Sequence, residues 1–230
     1  TLCNLINLLM RNYSQIILLF ALFSSSFFSL PAQDIQIARL KYAGGGDWYN
    51  DPSALVNLLA FTSQEVPMGI DLRYQDVDLG SSELYRYPFA FMTGHGGLKA
   101  NAQEIQNMRT YLESGGFLYV DDDYGFNEDF RDFISSLFPS ESLTELPWDH
   151  LIFNRYFRFE DGLPKIHEHD GKTPQAFGLF LDGRLAILYT YESNLSDGWA
   201  DASVHKNPEA VRQAALRMGA NILLYAINGE

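Results

Sequence analysis

Three times in this chain an apolar stretch of strand length runs into a glycine- or aspartate-rich turn and then into an amphipathic helix. An α/β sheet with helical crossovers accommodates that order most readily. Residues 35–42 lead through Gly44, Gly45 and Gly46 to Asp51-Pro52, an expected N-cap and first-turn proline for a helix carrying Leu55, Val56, Leu58 and Leu59. Residues 89–92 form a continuous apolar run of the kind buried on both faces. Thr93-Gly94-His95-Gly96-Gly97 follows, and then a helix opened by Asn101 with Glu104 as a capping box and closed by Gly115-Gly116. Residues 117–120 run straight into Asp121-Asp122-Asp123, after which Asn127 is expected to cap a helix bearing Phe130, Phe133, Ile134 and Leu137 on one face.

Alternating polarity over residues 70–77 adds a further strand. Residues 151–159 form an aromatic-rich strand candidate, and residues 176–181 and 184–189 flank Asp182-Gly183, a two-residue hairpin signal. A loop is expected over residues 192–206, and Asn207-Pro208 opens a final helix carrying Val211, Ala215, Met218 and Ile222. The expected fold is α/β, a mostly parallel sheet with an antiparallel hairpin added late.

Residues 1–32 have the layout of a secretory signal peptide: Arg11, an apolar stretch over 16–23, then serines and Leu30-Pro31-Ala32. Cleavage is expected after Ala32, with residues 1–9 upstream of the signal and residues 33–230 forming a single domain. The apolar stretch is broken by serines at 24–26 and is shorter than the about 20 residues a spanning helix needs. An uncleaved membrane anchor is the alternative. Export implies the periplasm or cell envelope. The only cysteine, Cys3, lies before the apolar stretch, so the domain has no thiol nucleophile, disulfide or thiolate metal site. Sixteen Lys and Arg against 29 Asp and Glu give a net charge of −13, without the basic clustering that neutralises a phosphate backbone. Nucleic acid is therefore not an expected partner.

The run Phe91-Met92-Thr93-Gly94-His95-Gly96, the helix after it, and Gly115 through Asp122 resemble the DUF4159 family, as do Gly46-Asp47-Trp48-Tyr49 and Gly198-Trp199. More distantly the pattern is similar to the class I glutamine amidotransferase-like superfamily, including ThuA-like proteins. That resemblance implies a flavodoxin-like three-layer sandwich. In amidotransferases a cysteine occupies the turn after the strand that follows the Gly-Gly pair, a place held here by the triple aspartate with Asp122 nearest. A carboxylate does not replace an activated thiolate in amide hydrolysis, so glutaminase activity is excluded. Relatives found near MoxR-type ATPases and von Willebrand A-like domains imply an envelope protein complex as partner.

In open α/β sheets ligands bind outside the carboxyl ends of the strands, near the switch point, so the three turns are expected to converge. The expected ligand-binding residues are Gly45, Gly46, Asp47, Trp48, His95, Asp121, Asp122 and Asp123, with Trp199 on a late loop over the same cleft. His95 and Asp122 are the catalytic candidates. Asp121, Asp122 and His95 offer hard oxygens and an imidazole for a divalent cation, the one cofactor expected; alternatively the aspartates orient a turn, cap a helix and meet solvent. His167-Glu168-His169 has metal-compatible spacing but no identifiable third ligand, and reads as a polar turn. No Gly-x-Ser-x-Gly elbow is present. Two functions follow: an exported domain binding a small molecule or protein, or a metal-assisted hydrolase acting through the Asp121–Asp123 turn and His95.

Overall fold

A computed structural model describes residues 34–67 and 69–229. The signal peptide expected over residues 1–32 lies outside the described residues. In chain order the elements are β1 (Ile35–Lys41), α1 (Ala54–Glu65), β2 (Ile70–Asp78), β3 (Phe89–Gly94), α2 (Ala102–Glu113), β4 (Phe117–Asp122), α3 (Asn127–Leu137), β5 (Thr144–Glu145), β6 (Gln175–Leu181), β7 (Arg184–Tyr191), α4 (Leu195–Trp199), α5 (Ala202–His205) and α6 (Glu209–Asn228). The strands form one sheet in the order β2-β1-β3-β4-β7-β6-β5, parallel through β7 and antiparallel beyond it. Strand alternation divides the core into two halves. Phe89, Phe91, Phe117 and Tyr119 face α1, α4 and α6, whereas Ala90, Met92, Leu118 and Val120 face α2 and α3. This is a flavodoxin-like three-layer sandwich with an added hairpin, whose turn residues Asp182 (φ 51°) and Gly183 (φ 82°) both take the left-handed conformation a type I′ turn requires. Among the described residues no helix is long and apolar enough to cross a membrane.

The capping box at Asn101 and Glu104 forms as the sequence indicates. Four local expectations do not hold. Asp51 does not cap α1, which begins at Ala54; its backbone is left-handed (φ 43°) and its carboxylate turns away to His205. Asn127 is the first residue of α3 instead of its cap, and the Phe126 N–H is taken by Asp122 at 3.0 Å. Residues 151–159 are not a strand. They form a 3-10 turn (Leu151–Phe153) and irregular backbone, because the Asn221 side chain of α6 accepts from the N–H groups of Tyr156 and Phe157 and donates to the carbonyls of Phe153 and Phe157. One buried amide thus supplies the partners a neighbouring strand would have given. Residues 192–206 are not a plain loop, since they contain α4 and α5.

Candidate functional site

The chain runs from β1 outward to β2 and returns to β3 on the other side of β1, so the strand order reverses between β1 and β3. In doubly wound sheets that reversal is where a ligand crevice opens, at the carboxyl ends. The structure brings the three turns together there. Gly46 O accepts from the Tyr42 hydroxyl at 2.8 Å and from the His95 N–H at 3.0 Å. A Cβ on Gly46 would sit 1.8 Å from Gly96 O, and one on Gly44 would sit 1.7 Å from Gly97 O. The glycine run therefore lets two turns pack backbone against backbone; Gly45 alone faces open space.

On this seam His95 is held from both sides. Its Nδ1 lies 3.0 Å from Asp47 Oδ2 and its Nε2 lies 3.2 Å from Asp123 Oδ2, and the ring stays about half exposed. Trp48 covers the neighbouring edge, its ring 5.2 Å from the guanidinium of Arg39, which in turn forms a bidentate pair with Asp76.

The three aspartates have different surroundings because β4 continues through Asp122, pairing Gly94 with Asp122 across the ladder. Asp121 points toward α4 and is fully buried, accepting from Thr190 Oγ1 at 2.6 Å and from both the N–H and hydroxyl of Ser196 at 2.7 Å. Burial pushes its carboxyl up to about 6 against those hydrogen bonds. Asp122 points to the opposite face, where the Phe126 N–H and the Tyr189 hydroxyl reach it, and burial raises it as well. Asp123 lies against the seam, met by Asn50, Asn194 and His95, whereas Asp122 lines the open cavity beside Tyr124. Burial, followed by the charges of Asp197, Asp121 and Asp51, pushes Asp123 far above the ordinary carboxylate range. The structure therefore does not gather Asp121, Asp122 and His95 about one point. Asp122 also shows no left-handed backbone of the kind that exposes a nucleophile on a sharp turn.

Trp199 is in the core, not on a rim. It is 1% exposed, packs against Phe91 and Tyr119, and donates its indole N–H to Ala215 O at 2.9 Å.

Beside this seam lies a second group that the sequence did not assemble. His167 Nδ1 is 2.5 Å from Asp197 Oδ2, His205 Nε2 is 3.7 Å from Asp197 Oδ1, and the two oxygens of Asp51 are each 2.9 Å from His205 Nε2. Among the described residues, His167, Asp197 and His205 are the set whose donor atoms converge as a cation would require. Burial alone would raise Asp197, but the hydrogen bond from His167 and the neighbouring imidazole of His205 bring it below its ordinary value. His167 is raised in return, chiefly by that hydrogen bond. The available signals were His167 in a spacing read as a polar turn and Asp197 in a loop read as a rim. Nothing local tied either to Asp51, which lies over 100 residues earlier in sequence, and the eight-residue step from Asp197 to His205 is not a ligand spacing that a sequence pattern marks.

The model for a domain of unknown function, DUF4159, matches residues 36–227, which takes in the whole sheet but for the first residue of β1, and both groups of site residues. The chain belongs to the DUF4159 family. A search of curated proteins finds no match. In this DUF4159 domain the turns after β1, β3 and β4 and the segment after β7 all contribute polar side chains to one end of the sheet. A mixed donor set of imidazoles, carboxylates and amides at such a place can bind a polar ligand, hold a cation or move a proton.

Proposed function

We propose that this DUF4159 domain is an exported ligand- or protein-binding domain of the periplasm or cell envelope, with its ligand seated at the carboxyl ends of β4 and β7. The observation that carries the reading is an open cavity of about 460 Å³ there, walled by residues that include Tyr124, Asn127, Glu128, His169, Lys172 and Tyr191. Tyr124 is half exposed and its ring stacks on that of His169, with centroids 4.8 Å apart and planes 21° from parallel. A flat aromatic surface beside amide, carboxylate and ammonium groups offers a small molecule or peptide both contact area and hydrogen-bond partners. Export is supported by the leader-like composition of residues 1–32, and an envelope complex of the MoxR type by the setting the family resemblance implies.

The test is a small-molecule thermal-shift screen on the purified chain, together with co-purification from envelope extracts, each repeated with a Tyr124→Ala/His169→Ala double variant. A ligand or specific partner held at least tenfold more weakly by the folded variant supports the reading. No binding, or equal binding by both proteins, overturns it. A second reading, metal-assisted hydrolysis of carbohydrate or peptide material, is favoured by the imidazoles and carboxylates around Asp197. Chelation would then abolish turnover.

A further inference from the structure

We propose that His167, Asp197 and His205 form a binding site for one divalent cation of the zinc class, with the Asp51 carboxylate, whose oxygens face the same His205 Nε2, as an additional ligand. The proposal stands apart from the ligand reading above, since the cavity at Tyr124 and His169 could bind its ligand with or without a cation.

The first support is donor geometry. The three residues come from the segment before β6, from α4 and from the end of α5, yet one donor atom from each lies within 4.8 Å of the others. Two donors sharing a tetrahedral centre through bonds of about 2.0–2.1 Å stand roughly 3.3–3.5 Å apart. The observed contacts to Asp197, 2.5 Å from His167 and 3.7 Å from His205, bracket that separation.

The second support is a buried group lacking a partner. Asp197 is 3% exposed, and its Oδ1, the oxygen nearer His205, has no hydrogen-bond partner among the described residues. A carboxylate oxygen buried in that condition is costly unless a proton or a cation meets it. Asp51 and Asp123 lie near enough to Asp197 for their charges to interact, so three carboxyl groups crowd one buried place. Two basic side chains close by are directed elsewhere: Lys165 to Glu192 at 2.8 Å and Arg212 to Glu209 and the carbonyl of Ala200. A divalent ion between the imidazoles would neutralise the cluster.

The surroundings fit a held site. Asn194 Nδ2 reaches Asp197 Oδ2 at 3.3 Å, the kind of outer contact that fixes the orientation of a metal ligand. Six described non-glycine residues have left-handed backbones, and five of them, Asp47, Asp51, Glu192, Asn194 and Lys206, flank these two groups of side chains. Such strain persists where the surrounding structure holds it for a purpose. Two imidazoles with one or two carboxylates favour zinc, or cobalt as its substitute, over magnesium or calcium, which prefer oxygen ligands alone. A three-donor set also leaves a coordination position for water or for a ligand group.

The experiment is titration of the full chain, freed of metal, with Co²⁺ followed by visible absorption, and with Zn²⁺, Mg²⁺ and Ca²⁺ by calorimetry. The expected result is one Zn²⁺ or Co²⁺ per chain, an intense tetrahedral-type cobalt spectrum, and at least 100-fold weaker binding of Mg²⁺ and Ca²⁺. His167→Ala and the near-isosteric Asp197→Asn should each weaken Zn²⁺ binding at least 100-fold. His95→Ala should leave it within threefold. Folding of each variant is checked by its circular dichroism and melting curve. Absence of stoichiometric binding, binding that Asp197→Asn and His167→Ala both leave intact, or binding that depends on His95 instead would each overturn the proposal.

Discussion

His205 Nε2 lies 2.9 Å from both carboxylate oxygens of Asp51, a residue 154 positions earlier in the chain. The contact ties the entry to α1 to the end of α5, and it holds Asp51 at a φ of 43° that a side-chain-bearing residue adopts at a cost of about 1 kcal/mol or more. Removal of the carboxylate should therefore have two separable parts. Asp51→Ala loses the partner and keeps the strain, for an expected destabilisation of about 2–3 kcal/mol, whereas Asp51→Gly loses the partner and relieves the strain. In urea unfolding the glycine variant should be more stable than the alanine variant by about 1 kcal/mol. Equal stabilities would show that the left-handed backbone at Asp51 carries no strain.

The seam between the turns after β1 and β3 yields a second contrast. Gly45 and Gly46 are neighbours of identical chemistry, yet an added methyl meets nothing at Gly45 and meets the backbone carbonyl of Gly96 at 1.8 Å at Gly46. Backbone does not move aside as the end of a flexible side chain does. Gly46→Ala should lower stability by about 3 kcal/mol or more and separate Asp47 from His95, while Gly45→Ala, burdened only by its φ of 92°, should cost about 1 kcal/mol. Melting temperatures of the two variants decide it, and similar values would mean that the turns do not pack as described.

The strands and the main helices of the parallel half were legible because their apolar spacing, the Asn101 capping box and the Asp182-Gly183 turn are local signals that the tertiary structure leaves intact. The convergence of the three turns followed from strand order, a regularity of folds that no single window of residues contains. What escaped was decided by long-range polar contacts. β4 seemed to end at Val120 because charges rarely continue a buried strand, yet Thr190, Ser196 and Tyr189 from distant segments satisfy Asp121 and Asp122 inside it. Asn221 likewise removes a strand from residues 151–159. His167 and His205 each sit in locally unremarkable polar sequence, and only the folded chain shows that both face Asp197.

Asp121 should impose a pH dependence on stability. Its folded carboxyl is pushed up to about 6, against 3.8 for the free group, chiefly by burial. Between those values the native state binds the proton and the unfolded chain releases it, so Asp121's contribution is fully present below about pH 4 and is lost as pH rises through 6. That difference corresponds to about 3 kcal/mol. Asp122 and Asp123 are raised in the same sense, and the comparison that isolates Asp121 is with Asp121→Asn. Urea midpoints at several pH values from 4 to 7 should fall with rising pH more steeply in the native sequence than in that variant. Parallel slopes would mean that Asp121 titrates near its ordinary value in the folded protein.

Trp199 belongs to the short helix that carries Asp197, so its substitution separates packing from ligand contact. The indole lies between Phe91 and Tyr119, fits against Gly219, and donates to the carbonyl of Ala215. Trp199→Ala should cost about 3–5 kcal/mol through the cavity alone. Trp199→Phe keeps most of the apolar volume but leaves the Ala215 carbonyl without this donor, for an expected loss of about 1–3 kcal/mol. Because the ring is 1% exposed, the phenylalanine variant should bind any cleft ligand within about twofold of the native protein. A tenfold loss of affinity in a Trp199→Phe protein that still melts cooperatively would return this residue to the binding surface and displace it from the purely structural place it occupies between β3, β4 and α6.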